Sequence, residues 1–222
     1  MGDAIGSTVG FAVGIAVSPI PIAAVILMLF SDRARSNSVA FMLAWIAGIA
    51  TVAVVVVAIP GLEADDSQQS STVGWFKLVL GVLLLAVGVR QWRSRPGPEE
   101  EPAVPGWMAK IDGLRPGSAL ALGFLLSAVN PKNLLLGAAA GATLGSLSLS
   151  RAETAGAIAV FTAIAALTVV VPVVASLIAG ARLEPSLDRA KAWLIANNTA
   201  VMAVLMLVFG VNLLGDALQI LT

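Results

Sequence analysis

The chain has 222 residues, of which 58% are hydrophobic and 12% charged, and its mean hydropathy is +0.94; that composition excludes an ordinary soluble domain and points to a polytopic membrane protein. Lys and Arg balance Asp and Glu at 13 each, so the distribution of charge carries more information than its sum. With no Cys and no His, disulfides, thiolate nucleophiles, imidazole bases and imidazole metal ligands are all missing, and the expectation is a protein that is not an enzyme and uses no cofactor and no metal.

Six apolar runs, at about 4–30, 38–60, 73–92, 117–145, 153–179 and 192–221, are each long enough to cross a bilayer as a helix. Met1-Gly2-Asp3 lacks the basic start of a signal peptide, so the first run is expected to stay as a helix. A basic loop at 31–37 joins the first two spans, and 61–72 carries Glu63, Asp65 and Asp66 with no base. The longest polar stretch follows the third span and holds a flexible acidic linker, Pro96 to Pro102. After it, Trp107 to Leu114 places apolar residues at the spacing of a helix lying in the headgroup plane. The expected organisation is one membrane domain over 1–222. Repeat 1 covers about 1–95, a linker with its interfacial helix about 96–116, and repeat 2 about 117–222.

Ten lysines and arginines, from Arg33 to Lys191, fall on the side reached after the first, third and fifth spans, whereas the other side has only Lys77 and Arg151. By the positive-inside rule the basic side is cytoplasmic, which puts both termini outside and the 90–116 loop inside. Those bases are read as setting topology and touching anionic headgroups, with no nucleic acid as partner. Trp75, Trp92, Trp107 and Trp193 fall near expected interfaces; Trp45, inside the second span, reads as core packing.

The two halves resemble each other. Gly10-Phe11 precedes Ala16-Val17-Ser18-Pro19-Ile20-Pro21-Ile22, and Gly123-Phe124 precedes Ala128-Val129-Asn130-Pro131-Lys132-Asn133-Leu134. Three spans is an odd number, so a repeated three-helix unit must enter the membrane from opposite faces, as in many secondary transporters. The expected fold is therefore all-α, with six transmembrane helices in two inverted three-helix repeats and with spans 1 and 4 broken at proline near the midplane. The fourth span, 117–145, would be roughly 43 Å long as a helix, with its midpoint at Pro131. Proline there has no N–H to offer the carbonyl of Ser127.

Lys132 is the sharpest feature, because an ionisable group inside a membrane marks a pathway or a binding site by default. Every acidic residue lies in a loop, at a terminus or near a helix end. Either the amine is neutral for part of its life, or its counter-charge arrives with an anionic substrate. The structural alternative is a clamp in which Lys132 satisfies carbonyls freed by Pro19, Pro21 and Pro131. Asn130, Asn133 and Ser18 are read as ligand contacts or as caps on the broken helix ends. Pro19, Pro21 and Pro131 are candidate hinges. Asn197, Asn198 and Asn212 are weaker candidates. Gly6, Gly10 and Gly14, and Gly137, Gly141 and Gly145, have the four-residue spacing that lets helices approach closely, and are expected to pack spans 1 and 4 together. Pro172 is expected to kink the fifth span. No Gly-Lys-Ser/Thr phosphate loop is present.

The run from Trp107-Met108 through Leu114-Arg115-Pro116-Gly117, Gly123 and Ser127 to Asn130-Pro131-Lys132-Asn133-Leu134 resembles the peptidoglycolipid-addressing (sulfolipid-addressing) proteins of mycobacteria and other actinobacteria. Ser18 to Pro21 and Trp193-Leu194 agree, so the resemblance covers most of the chain. It implies membership of the lysine-exporter superfamily, six-helix secondary transporters with repeated halves. It also implies a place in the bacterial inner membrane and help in exporting anionic envelope glycolipids. Its implied partners are membrane lipids, the glycolipid itself and a larger lipid exporter, with a homo-oligomer left open. The second span, 38–59, has no acidic residue for an amino-acid cargo. An exporter of small metabolites or amino acids, and a non-transporting scaffold for a larger exporter, stand as the alternatives.

Overall fold

In lipid every backbone polar group needs a partner within the protein, so long apolar runs fold as helices. The computed structural model describes residues 1–59, 71–94, 111, 113–179 and 184–221. Helices α1 (Gly2–Ala16) and α2 (Pro19–Leu29) are followed by α3 (Ala34–Val57) and α4 (Ser71–Arg93). Then come α5 (Pro116–Phe124), a π-helical turn (Leu125–Val129), α6 (Pro131–Gly145), α7 (Arg151–Ala179) and α8 (Glu184–Leu221). There is no strand among the described residues. The acidic linker, and all of the expected interfacial helix except Ile111, Gly113 and Leu114, lie outside them.

Four helices, Ala34–Val57, Val73–Arg93, Arg151–Ile178 and Thr199–Leu221, are long and apolar enough to cross a membrane. Two bent pairs raise the number to six if each is one span: α1 with α2, bent by 54°, and Pro116–Val129 with α6, bent by 59°. Both bends sit where proline occupies the first helical position of the second piece, a place where its missing N–H is harmless to that helix but fatal to continuity with the one before. The α7 helix, by contrast, runs on through Pro172.

Glycines set which helices touch. Gly74, Gly81 and Gly88 recur every seven residues along α4, and α8 lies against all three. A Cβ on Gly74 would meet Leu221 at 2.8 Å, on Gly81 Leu214 at 3.0 Å, and on Gly88 Met206 at 3.1 Å. The order of these contacts makes α4 and α8 antiparallel. Helix α3 runs parallel to the second bent pair, with Phe41 and Ala44 at Gly123, Val52 at Gly137 and Val56 at Gly141. Helix α7 packs in turn on the first bent pair.

The glycine stripes differ from expectation. Gly137 and Gly141 face α3, not α1. Gly10 and Gly14 make room for the Phe209 ring of α8, which also packs tilted against Phe11 with centroids 5.5 Å apart, and a Cβ built on Gly14 would meet α6 at Leu136. No neighbour lies within 4 Å of a Cβ built on Gly6, and Gly145 lines a groove described below. The four-residue spacing marks a face that admits a close neighbour; which neighbour arrives is a tertiary decision. Trp45 is fully buried and stacks with Phe41, at 6.1 Å between centroids.

Candidate functional site

Pro19 and Pro21 remove the two N–H groups that would have bonded the carbonyls of Ile15 and Val17, four residues back. The turn also spoils the bond to Gly14, because the Ser18 N–H goes to the Ala16 carbonyl at 2.8 Å instead. The carbonyls of Gly14, Ile15 and Val17 at the end of α1 therefore need donors, that of Ala16 has the Ser18 N–H alone from the backbone, and side chains supply donors from three places. The Ser18 hydroxyl donates to Ile15 at 2.6 Å. Thr168 on α7 donates its hydroxyl to Ala16 at 2.6 Å. Lys132 Nζ donates to Gly14 at 2.8 Å and, over a longer 3.4 Å, to Val17. It also donates to Ser18 Oγ. Three N–H groups of an ammonium thus meet three oxygens, and Lys132 is only 7% exposed.

The other break is closed by its own asparagines. Asn130 Oδ1 accepts from the Lys132 backbone N–H at 3.1 Å, capping α6 in place of the carbonyl acceptor that a continuous helix would have offered. Asn133 Nδ2 donates to the Leu126 carbonyl at 2.9 Å, inside the π turn where Asn130 N–H pairs with Leu125 at 3.0 Å. Asn133 Oδ1 lies 3.3 Å from Ser18 Oγ, so the two breaks touch. Ser18 and Asn133 are buried, at 4% and 1% exposure, and Asn130 is half-buried. Pro19 and Pro21 are buried and Pro131 is exposed.

The structure thus brings Lys132, Asn130, Asn133, Ser18 and the three prolines together at one crossing. Asn197 is spent on the Trp193 carbonyl at 2.9 Å, Asn212 is exposed on α8, and the Asn198 side chain lies outside the described residues. Two contributors were not legible in the sequence. Thr168 is one hydroxyl in an apolar helix, and so is Thr162, whose buried Oγ1 has no partner; nothing local separates them. Gly48 is needed because Ser127 Oγ lies against α3 there, 1.9 Å from where a Cβ would stand.

Beside Lys132 is a small cavity of about 120 Å³ whose walls include Ser18, Pro19, Pro21, Asn130, Met202 and Met206. Gln91 also lines it, two residues before α4 ends at Arg93, so the cavity leans toward the basic end of that helix. At about 30 Å³ per molecule it has room for roughly four waters. Among the described residues no acidic side chain pairs with Lys132, and the ion pair is Lys77–Asp216, 3.3 Å apart between α4 and α8, with the Lys77 side chain 7% exposed.

No curated protein and no solved structure matches the chain. The family model described as Sap, sulfolipid-1-addressing protein, matches residues 8–219, nearly the whole length. With apolar helices throughout and a family model spanning them, the chain belongs to the Sap, sulfolipid-1-addressing protein family.

Proposed function

We propose that the protein carries anionic lipids across the bacterial inner membrane by alternating access, with Lys132 as the group that meets the headgroup and with hinges at Pro19, Pro21 and Pro131. The family's description supports a lipid cargo. One observation carries the site: a buried amine with no acidic partner among the described residues, held at the contact of two helix breaks and facing a cavity. Its bond to Val17, at 3.4 Å the longest it makes to a carbonyl, is the one most easily exchanged for a ligand oxygen. At about 120 Å³ the cavity is far too small for a glycolipid headgroup, so this conformation is closed at that point. Opening it requires α2 and α8, which supply most of its wall, to separate.

The packing supports an inverted repeat. The middle helix of each three-helix unit lies on the broken helix of the other, α3 on the second bent pair and α7 on the first, while α4 and α8 pair with each other. A two-fold axis in the membrane plane would generate that pattern. Within this plan both termini are outside and the 90–116 loop is cytoplasmic. The chain does its work as a carrier and not as an enzyme, with membrane lipids as partners.

A second reading, the structural clamp, is favoured by the same bonds to Gly14 and Val17. Lys132→Gln separates the two, since it keeps hydrogen-bond donors and removes the charge. In proteoliposomes carrying a fluorescent anionic lipid, the carrier reading expects folded Lys132→Gln to lose lipid translocation at least tenfold, with Lys132→Arg retaining part of it. Translocation by Lys132→Gln at the wild-type rate would leave the clamp and remove the carrier site. Translocation by no form of the protein, with export restored only when a larger exporter is added, would favour the scaffold alternative.

A further inference from the structure

Away from Lys132, a groove of about 1290 Å³ runs between α3 and α7, bounded at one end by the turn that follows α6. Its depth has a sequence cause. Ala155, Ala159 and Ala163 recur every four residues on the α7 side, and Ala50 faces them from α3, so the two helices leave a trough where larger side chains would have met. Gly141 closes the back by bringing α6 onto α3, where its Cβ position is 2.9 Å from the Ala53 carbonyl.

The trough has the proportions of a chain. From Arg151 to Val170, both on its wall, α7 rises about 28 Å, close to the ~30 Å of a bilayer's hydrocarbon. Its volume also exceeds the roughly 300–1000 Å³ of pockets for small molecules. The wall is mostly apolar along that length; Ser148, Arg151 and Thr154 gather at one end, and Thr162 is the polar side chain farther along. Thr162, 6% exposed and part of the wall, has a hydroxyl with no partner among the described residues. Arg151 is exposed, with no ion pair among the described residues. The nearby carboxylate is engaged elsewhere: Glu153 accepts from the Ser150 N–H at 3.0 Å and from its hydroxyl at 2.8 Å. A cation therefore stands at the mouth of an apolar trough, in ion-pair contact with no carboxylate among the described residues.

We infer that this groove binds an acyl chain of an anionic membrane lipid, with the lipid's negatively charged headgroup against Arg151. The inference rests on the lipid-carrier reading and locates a holding site at the end opposite the basic loops. A lipid that had left the Lys132 cavity would meet it before joining the outer leaflet.

The test is equilibrium photolabelling of purified protein in nanodiscs containing phosphatidylglycerol with a diazirine on one acyl chain, followed by mass spectrometry of the adducts. Adducts should concentrate on residues 46–58 and 147–170. Arg151→Gln should reduce them at least fivefold for phosphatidylglycerol and leave labelling by the phosphatidylcholine analogue unchanged. Ala159→Phe, which fills the trough, should reduce both; Arg151→Gln, a surface change, stands in if that variant fails to fold. Labelling spread evenly around the helices, labelling indifferent to Arg151, or cross-links showing a second copy of the chain in the groove would each overturn the inference. Persistent groove labelling in a protein that translocates nothing would sink the carrier reading and leave the groove intact.

Discussion

Gly48→Ala probes the crossing without touching the amine. A Cβ there would stand 1.9 Å from Ser127 Oγ, 3.0 Å from Ser127 Cβ and 3.4 Å from Ala128 Cβ. Overpacking of this kind costs about 1–3 kcal/mol. Replacing glycine by alanine within a helix recovers about 1 kcal/mol of backbone propensity. The net expectation is a destabilisation of up to about 2 kcal/mol. Ser127→Ala removes the closest atom and, with it, a 3.0 Å bond from that hydroxyl to the Phe124 carbonyl within the same helix, a loss of about 0.5 kcal/mol or less. In that background the remaining contact at 3.0 Å yields by a few tenths of an ångström, and Gly48→Ala should become close to neutral. The double-mutant cycle, measured by denaturant unfolding in micelles, should therefore show coupling of up to about 2 kcal/mol. If Gly48→Ala costs the same whether or not Ser127 carries its hydroxyl, α3 does not support the second break at this point. If it costs nothing in either background, the close approach itself is wrong.

Three other outcomes follow from the same contacts. Thr168→Val leaves the Ala16 carbonyl with only the Ser18 N–H and should lower stability by about 1 kcal/mol, while Thr162→Val, at a hydroxyl that has no partner, should be neutral or stabilising; equal effects in thermal unfolding would contradict the assignment. Asn130→Ala removes the cap on α6 and should cost about 1 kcal/mol, with Asn130→Asp retaining most of it; an unchanged melting temperature for the alanine variant would refute the cap. Lys77 is the more buried member of its pair, so Asp216→Ala, which strands the amine, should destabilise more than Lys77→Met, which replaces it with an apolar chain of similar shape; the reverse order on denaturation would show that the pair is not what holds α4 to α8 there.

What local chemistry decides was legible in the chain itself. Long apolar runs had to be helices, because hydrocarbon offers their backbones no other partner. Proline has no N–H in any surroundings, so the loss of helical bonding at Pro19, Pro21 and Pro131 could be foreseen from single residues, as could the polar side chains placed to repair it. The choice of partner was not local. Ser18 serves its own helix, but Lys132 crosses to Gly14, and Thr168 reaches Ala16 over 152 positions of chain. The glycine spacing marked faces fit for close packing, yet whether Gly137 would meet α1 or α3 depended on how the helices were arranged. Lys77 and Asp216 looked like two unrelated charges near helix ends until α4 and α8 lay antiparallel. The groove has no local signature either, since alanines at the same spacing would pack flush against a neighbour if α3 stood closer. Sequence determines which atoms are left wanting a partner or a neighbour; only the tertiary fold, which brings distant segments within bonding range, decides what meets them.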